Sequence, residues 1–209
     1  MNADDRTVFI VDDDGGVRSS LRMLIRSIGL RAETFASGDE FLEAYDPDRS
    51  GCLILDVRMP GMSGIELQER LLARGAHLPI IFITAHGDVP MAVKAMQGGA
   101  VDFIQKPFRD QDLLDEVQRA MNRDARMREK LADRVAILEK IATLTARERE
   151  VMEMVVEGRA NKAIAADLGI SERTVEVHRA RVMHKTEAES IPHLVRMVIR
   201  SRSEESGQP

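Results

Sequence analysis

At 209 residues the chain exceeds a typical single domain of roughly 100 to 150 residues, so two small domains are expected. Hydrophobic residues make up 44% and charged residues 31%, ordinary globular usage that excludes a disordered chain, and no apolar run approaches the roughly 18 residues of a membrane span. The net charge of −5 hides an asymmetry: residues 1–123 carry 14 Lys and Arg against 20 Asp and Glu, and residues 124–209 carry 16 against 15.

The chain starts acidic where a secretory signal would be basic, which points to the cytoplasm. Residues 8–11 form a short apolar run that ends in Asp12, Asp13 and Asp14, and residues 17–28 then show apolar positions at helical spacing. The pattern recurs with a weak edge strand at 31–35, a helix at 38–45, and a strand at 52–55 that ends on Asp56. Cys52, the single cysteine, lies in that apolar run and reads as a packed thiol, which excludes an internal disulfide and a multi-cysteine metal site. After a turn at 60–64 come a helix at 65–73, a β-branched strand at 79–83 ending at Thr84, a helix at 89–98, and a strand at 101–104 before Lys106 and Pro107.

Five strands alternating with helices predict an α/β fold, a doubly wound five-stranded parallel sheet with helices on both faces. In such sheets the site lies at the carboxyl ends of the strands, where Asp12, Asp13, Asp56, Thr84 and Lys106 all fall. Each aspartate alone would be an ordinary turn or cap residue. Together, three crowded carboxylates require a cation, and oxygen ligands suit Mg²⁺. With a lysine ammonium and a hydroxyl nearby, the set can stabilise a phosphoryl group moving onto a carboxylate oxygen, with Asp56 as the nucleophile.

The motifs Asp12-Asp13-Asp14, Leu55-Asp56-Val57-Arg58-Met59-Pro60-Gly61, Thr84-Ala85 and Lys106-Pro107-Phe108 resemble, in order, those of the receiver domain of two-component response regulators, a flavodoxin- and CheY-like fold. The resemblance covers residues 5–123 and implies that Asp56 is the phosphoacceptor. It further implies that Asp12, Asp13, Asp56 and the backbone carbonyl of Arg58 hold Mg²⁺ or Mn²⁺, and that the Lys106–Pro107 bond is cis. Lys106 would contact the phosphoryl group, and Thr84 and Phe103 would couple it to a conformational switch. Phe103 lacks the tyrosine hydroxyl often found there, which rules out a hydroxyl-mediated contact. No enzyme activity is implied beyond Mg-dependent self-phosphorylation and autodephosphorylation at Asp56. His86 reads as an exposed loop histidine.

From about 110 to 141 there is neither proline nor glycine, and a heptad frame runs through Leu114, Met121, Arg128, Val135 and Ala142 at one core position. Val117, Asp124, Leu131 and Leu138 occupy the other. Asp124 and Arg128 break the seam, so residues 124–141 are expected to be a long helical linker, with a helical dimer contact or a solvated spacer both open.

Residues 142–205 read as a small all-α module, with helices at 146–157, 161–168, 172–185 and 191–201 and turns at Gly158 and Gly169. Residues 159–202 hold nine basic against five acidic residues, the place to expect a polyanion. Two helices across a short glycine turn, the second capped by Ser171, form a helix-turn-helix whose second helix enters the major groove. Helical spacing places Thr174, His178 and Arg181 on one face. The motifs around Leu144, Glu157-Gly158-Arg159 and Thr174-Val-Glu-Val-His-Arg179 resemble the LuxR-type helix-turn-helix, and with the receiver the chain resembles the FixJ/NarL subgroup. The resemblance implies DNA contacts from Lys162, Thr174, Val175, Val177, His178, Arg179, Arg181 and Lys185. Glu176 and Ala180 depart from basic residues found in some relatives, which shifts the expected contacts toward Arg179, Arg181 and Lys185.

The resulting expectation is a phosphorylation-dependent transcription regulator served by a sensor histidine kinase. It would bind promoter DNA as a dimer, with RNA polymerase as a further partner. A small-molecule phosphatase lacks a placed second acid or base, and a degenerate receiver would not need the intact acidic set.

Overall fold

The computed structural model describes residues 6–85 and 89–202; His86, Asp5 and residues 203–205 of the expected module lie outside them. Strands β1 (Thr7–Val11), β2 (Arg31–Phe35), β3 (Gly51–Asp56), β4 (Ile80–Thr84) and β5 (Asp102–Gln105) alternate with helices α1 (Gly15–Ser27), α2 (Gly38–Ala44), α3 (Gly64–Ala73) and α4 (Val89–Gln97). The sheet is parallel in the order β2-β1-β3-β4-β5, the flavodoxin-like order whose ligand crevice opens between β1 and β3.

β1, β3 and β4 are buried along their whole length, as strands covered on both faces must be, which explains why they read as unbroken apolar runs. β2 alternates exposed and buried positions, which is why it reads as a weaker strand. The period of two divides the core: Phe9, Phe41, Leu53, Leu55 and Phe82 pack on one face, and Val8, Ile10, Cys52, Ile54 and Ile81 on the other. Cys52 is fully buried and burial pushes its thiol pKa up, so it is the packed, unreactive thiol expected.

α1 begins two residues before the helical spacing suggests, because the Asp14 carboxylate accepts from the backbone of Gly16 at 2.7 Å and Val17 at 3.2 Å and fixes the start. β5 is shifted one residue along, to 102–105, and ends beside Lys106, whose bond to Pro107 is cis.

Helix α5 (Asp110–Ala142) is continuous, and the chain divides within it into two compact units, at Arg128 and Glu129. In the first unit Val117, Ala120 and Met121 of α5 fill the sheet core. The two residues that interrupt the heptad frame belong to the same unit and have a partner there. Asp124, 2% exposed, accepts from the Ser50 hydroxyl and from Gly51 N at 3.0 Å. Arg128 pairs with it at 3.0 Å and donates to the carbonyls of Pro47, Asp48 and Arg49. The α2–β3 loop is thus closed by α5.

The second unit is helical: the last turns of α5, then α6 (Ala146–Val156), α7 (Asn161–Leu168), α8 (Glu172–Thr186) and α9 (Ile191–Arg202), around Ile137, Val151, Ile164, Val175, Val182 and Leu194. Gly169 ends α7 at φ 64, a left-handed conformation that glycine adopts without a Cβ clash. The Ser171 hydroxyl then accepts from Thr174 N at 3.1 Å and starts α8, the predicted helix, turn and capped second helix. Among the described residues no helix is long and apolar enough to cross a membrane.

Candidate functional site

The acidic pocket follows from register. Val11 pairs with Leu55, so the residues just beyond, Asp12 and Asp56, leave the sheet side by side at its carboxyl edge. Asp13 joins them, and one carboxylate oxygen from each of the three lies within 4.8 Å of the others. Asp12 and Asp56 are buried while Asp13 is exposed, so the cluster opens to solvent on one side.

The Asp12 carboxylate is tied on both oxygens: Oδ1 accepts from Asp14 N at 2.9 Å and Oδ2 from Lys106 Nζ at 2.8 Å. The Lys106 ammonium also faces Asp56 Oδ1 at 3.7 Å. That Asp56 oxygen is buried and has no hydrogen-bond partner among the described residues. Burial is the main reason the Asp56 pKa is pushed up to about 6; Lys106 opposes the rise, and Asp12 and Asp13 add to it. A buried carboxylate oxygen without a donor, flanked by two more carboxylates and one ammonium, is short of positive charge.

The neighbouring chain is shaped to this carboxylate. Gly64 opens α3 with its N–H on the Val57 carbonyl at 2.9 Å, and a Cβ there would lie 2.2 Å from the Asp56 carbonyl oxygen. Thr84, 1% exposed, ends β4 next to the pocket. Phe103 on β5 is half-buried, and its ring lies 6.4 Å from that of Phe82. Arg58 is exposed on the loop two residues past Asp56.

In the second unit, α8 is anchored by Val175, Val182 and Thr186, and its opposite face presents Arg173, Val177, Ala180, Arg181 and His184 to solvent. Val177, Ala180, Arg181, His184 and Lys185 line a concavity. The outward face is therefore one step round the helix from the predicted one, since Thr174 and His178 are half-buried. Val175 is 0% exposed and is corrected from a DNA contact to a core residue. The spacing of Val175 and Val182, two turns apart and both β-branched apolar, is the signal that separates the buried face from the outer one.

Two of the basic residues are engaged within the unit. Arg179 donates to Asn161 Oδ1 at 2.6 Å and ties α8 to the start of α7. Lys185 donates to Glu148 Oε2 at 2.6 Å and to the Thr143 carbonyl at 3.2 Å, which corrects its expected place among the main DNA contacts: its charge is largely neutralised inside the module. Lys162 and Arg181 remain exposed.

Glu148 also forms a capping box with Thr145. The Lys185 ammonium, first, and the Thr145 backbone hold its pKa down at about 2. A depressed carboxylate pKa gives stability that is complete above the ordinary value of 4.5 and is lost as pH falls toward 2. In hydrogen-exchange measurements on the full chain, α8 amide protection should fall more in wild type than in Glu148→Gln over that window. Parallel pH profiles for the two proteins would show that the Glu148–Lys185 pair does not hold α8.

Residues 8–118 match the family described as response regulator receiver domain, and residues 142–198 match the bacterial regulatory proteins of the luxR family. The chain is 50% identical over 192 residues to the transcriptional regulatory protein FixJ of Azorhizobium caulinodans, covering 92% of this chain and 91% of that one. It is 49% identical over 190 residues to nodulation protein W of Bradyrhizobium diazoefficiens, covering 91% and 84%. Among solved structures, the response regulator StyR superposes with a TM-score of 0.84 at 47% identity over 94% of this chain and 99% of its own. The isolated FixJ-N aligns with a TM-score of 0.54 at 47% identity over 58% of this chain and 96% of its own. A CheY-like receiver joined to a LuxR-type helix-turn-helix, with full-length FixJ relatives at this identity, places the chain in the response regulator family, in its FixJ/NarL subgroup.

Proposed function

We propose that Asp56 accepts a phosphoryl group from a sensor histidine kinase and that this change controls binding of α8 to promoter DNA. The observation that carries the reading is the buried Asp56 Oδ1, which has no donor among the described residues, next to Asp12, Asp13 and Lys106. In the transfer an Asp56 oxygen forms a bond to phosphorus as the bond from phosphorus to the donor imidazole nitrogen breaks, leaving the electron pair on that nitrogen. Lys106 offsets the charge that gathers on the transferred group, and Thr84 and Phe103, at the ends of β4 and on β5, carry the switch.

The three carboxylates fit a hard divalent cation, so Asp12, Asp13 and Asp56 would hold Mg²⁺ or Mn²⁺ with the Arg58 carbonyl. When bound, that ion neutralises carboxylate and phosphoryl oxygens. Lys106, bonded to Asp12 at 2.8 Å, directs its ammonium at the pocket. The regulator works in the cytoplasm as a dimer on two half-sites, with RNA polymerase as the partner it affects.

On α8, Arg181 and Val177 face outward and carry DNA contact together with Lys162 and, in smaller part, Thr174, His178 and Arg179. The test selects duplexes from a random-sequence pool with the full chain treated with acetyl phosphate and Mg²⁺, then measures binding with intact mass recorded on each sample. The expected result is one added phosphoryl group and tighter binding, both lost in Asp56→Asn. Arg181→Ala should weaken binding and reduce the slope of log affinity against log salt by about 1. Phosphorylation with no change in affinity would refute control of DNA binding by Asp56.

A further inference from the structure

The heptad frame along α5 has two halves with different fates. Up to Met121 its apolar positions face the sheet core, Val117 and Met121 buried in it and Leu114 half-buried against it, and Asp124 and Arg128 close the α2–β3 loop. Beyond them the frame resumes in the second unit with Leu131, Val135 and Leu138 at 47%, 48% and 45% exposure, followed by exposed Ala142. These four fall at successive d, a, d and a positions, the spacing of a coiled-coil seam. The module's own core draws on a different side of the same helix, through Ile137 and Ile141. Three large aliphatic side chains in one row are therefore left uncovered by the described residues.

We infer that this row, from Leu131 to Ala142, is a parallel coiled-coil contact with α5 of a second copy of the chain. The flanking charges select both occupant and direction. Arg134 falls at a g position and Glu139 at the following e position, so in a parallel pair each Arg134 faces Glu139 of the other copy, an opposite-charge contact made twice. In an antiparallel pair g faces g and e faces e, which sets Arg134 against Arg134 and Glu139 against Glu139 and is unfavourable. The row spans under two heptads, too short to hold two helices together unaided. It therefore strengthens a dimer assembled by other contacts, a role that goes beyond the proposed control by Asp56 and uses only its premise that the regulator acts as a dimer.

The test uses the full chain with one added cysteine at Val135→Cys, Leu138→Cys or Ala136→Cys. Ala136 is equally exposed but lies off the seam, and buried Cys52 makes the parent chain the blank. Each protein is oxidised at a range of concentrations, with and without acetyl phosphate and Mg²⁺, and beside Asp56→Asn. A disulfide requires Cα atoms within roughly 7 Å, so Val135→Cys and Leu138→Cys should crosslink on the order of tenfold more than Ala136→Cys when dimers form. Adding Glu139→Arg should lower the yield from Val135→Cys, and combining it with Arg134→Glu should restore it.

Equal yields at all three positions would overturn the seam, and a yield indifferent to Glu139→Arg would overturn its parallel register. Absent crosslinks in samples whose mass shows phosphorylated Asp56 would sink the seam and leave the Asp56 reading standing. Seam-specific crosslinks in Asp56→Asn at high concentration would support the seam without phosphorylation.

Discussion

Asp56→Asn should make the first unit more stable at pH 7, by about 1–2 kcal/mol once water at the pocket mouth is allowed for. The Asp56 carboxyl has a folded pKa of about 6 against an ordinary value of 3.8, so above pH 6 the folded state holds an anion that burial and two neighbouring carboxylates disfavour. As pH falls through 6 the folded protein takes up a proton that the unfolded chain does not yet bind, and wild type regains stability. Below 3.8 both states are protonated and the advantage of asparagine is gone. Thermal unfolding of the two proteins from pH 8 to pH 3 measures this directly. Mg²⁺ should reverse the order at pH 7, because an ion bound only by the folded state stabilises it by mass action, and Asp56→Asn removes one of the three carboxylates proposed to hold it. Equal stability of the two proteins at pH 7 without the ion would show that the carboxylate is not under the strain its surroundings imply.

A larger effect, of opposite sign, is expected at Asp124. Asp124→Ala should cost about 3 kcal/mol, the low end for removing one partner of a buried ion pair, because the Arg128 side chain left behind is 26% exposed. The Arg128 guanidinium loses its counter-charge, and the Ser50 hydroxyl and Gly51 N lose their acceptor. In urea titrations the midpoint should drop with the slope unchanged. Asp124→Ala combined with Arg128→Met should lose less than the sum of the two single changes, because the pair acts as a unit. A loss below about 1 kcal/mol, the range of a surface pair, would mean that the contact is solvent-screened and does not hold the loop.

The strands were legible because parallel strands buried on both faces carry unbroken apolar runs, and the acidic pocket because its residues follow those runs directly. What periodicity could not give is long-range. Asp124 and Arg128 read as defects in a heptad because, beyond their i,i+4 pair with each other, their partners are about 75 to 80 residues away and leave no local trace. Lys185 looked like one more basic residue of a recognition helix, yet its partner Glu148 lies on another helix. Val175, by contrast, carries a local signal: its spacing to Val182 marks a buried face within α8 itself. The start of α1 was displaced because Asp14, read as part of an acidic cluster, serves the helix as its cap.

The closure of the α2–β3 loop by α5 bears on how the first unit comes off the ribosome. Domains can fold as they are synthesised, but the carbonyls of Pro47, Asp48 and Arg49 wait for Arg128, which emerges after every strand of the sheet has been made. A nascent chain that has released all five strands still lacks the pair that secures the entry to β3. The same holds for an excised receiver: a fragment stopped at residue 118, where the family match ends, carries the whole acidic pocket but neither member of the pair, whereas one carried through Arg128 retains both.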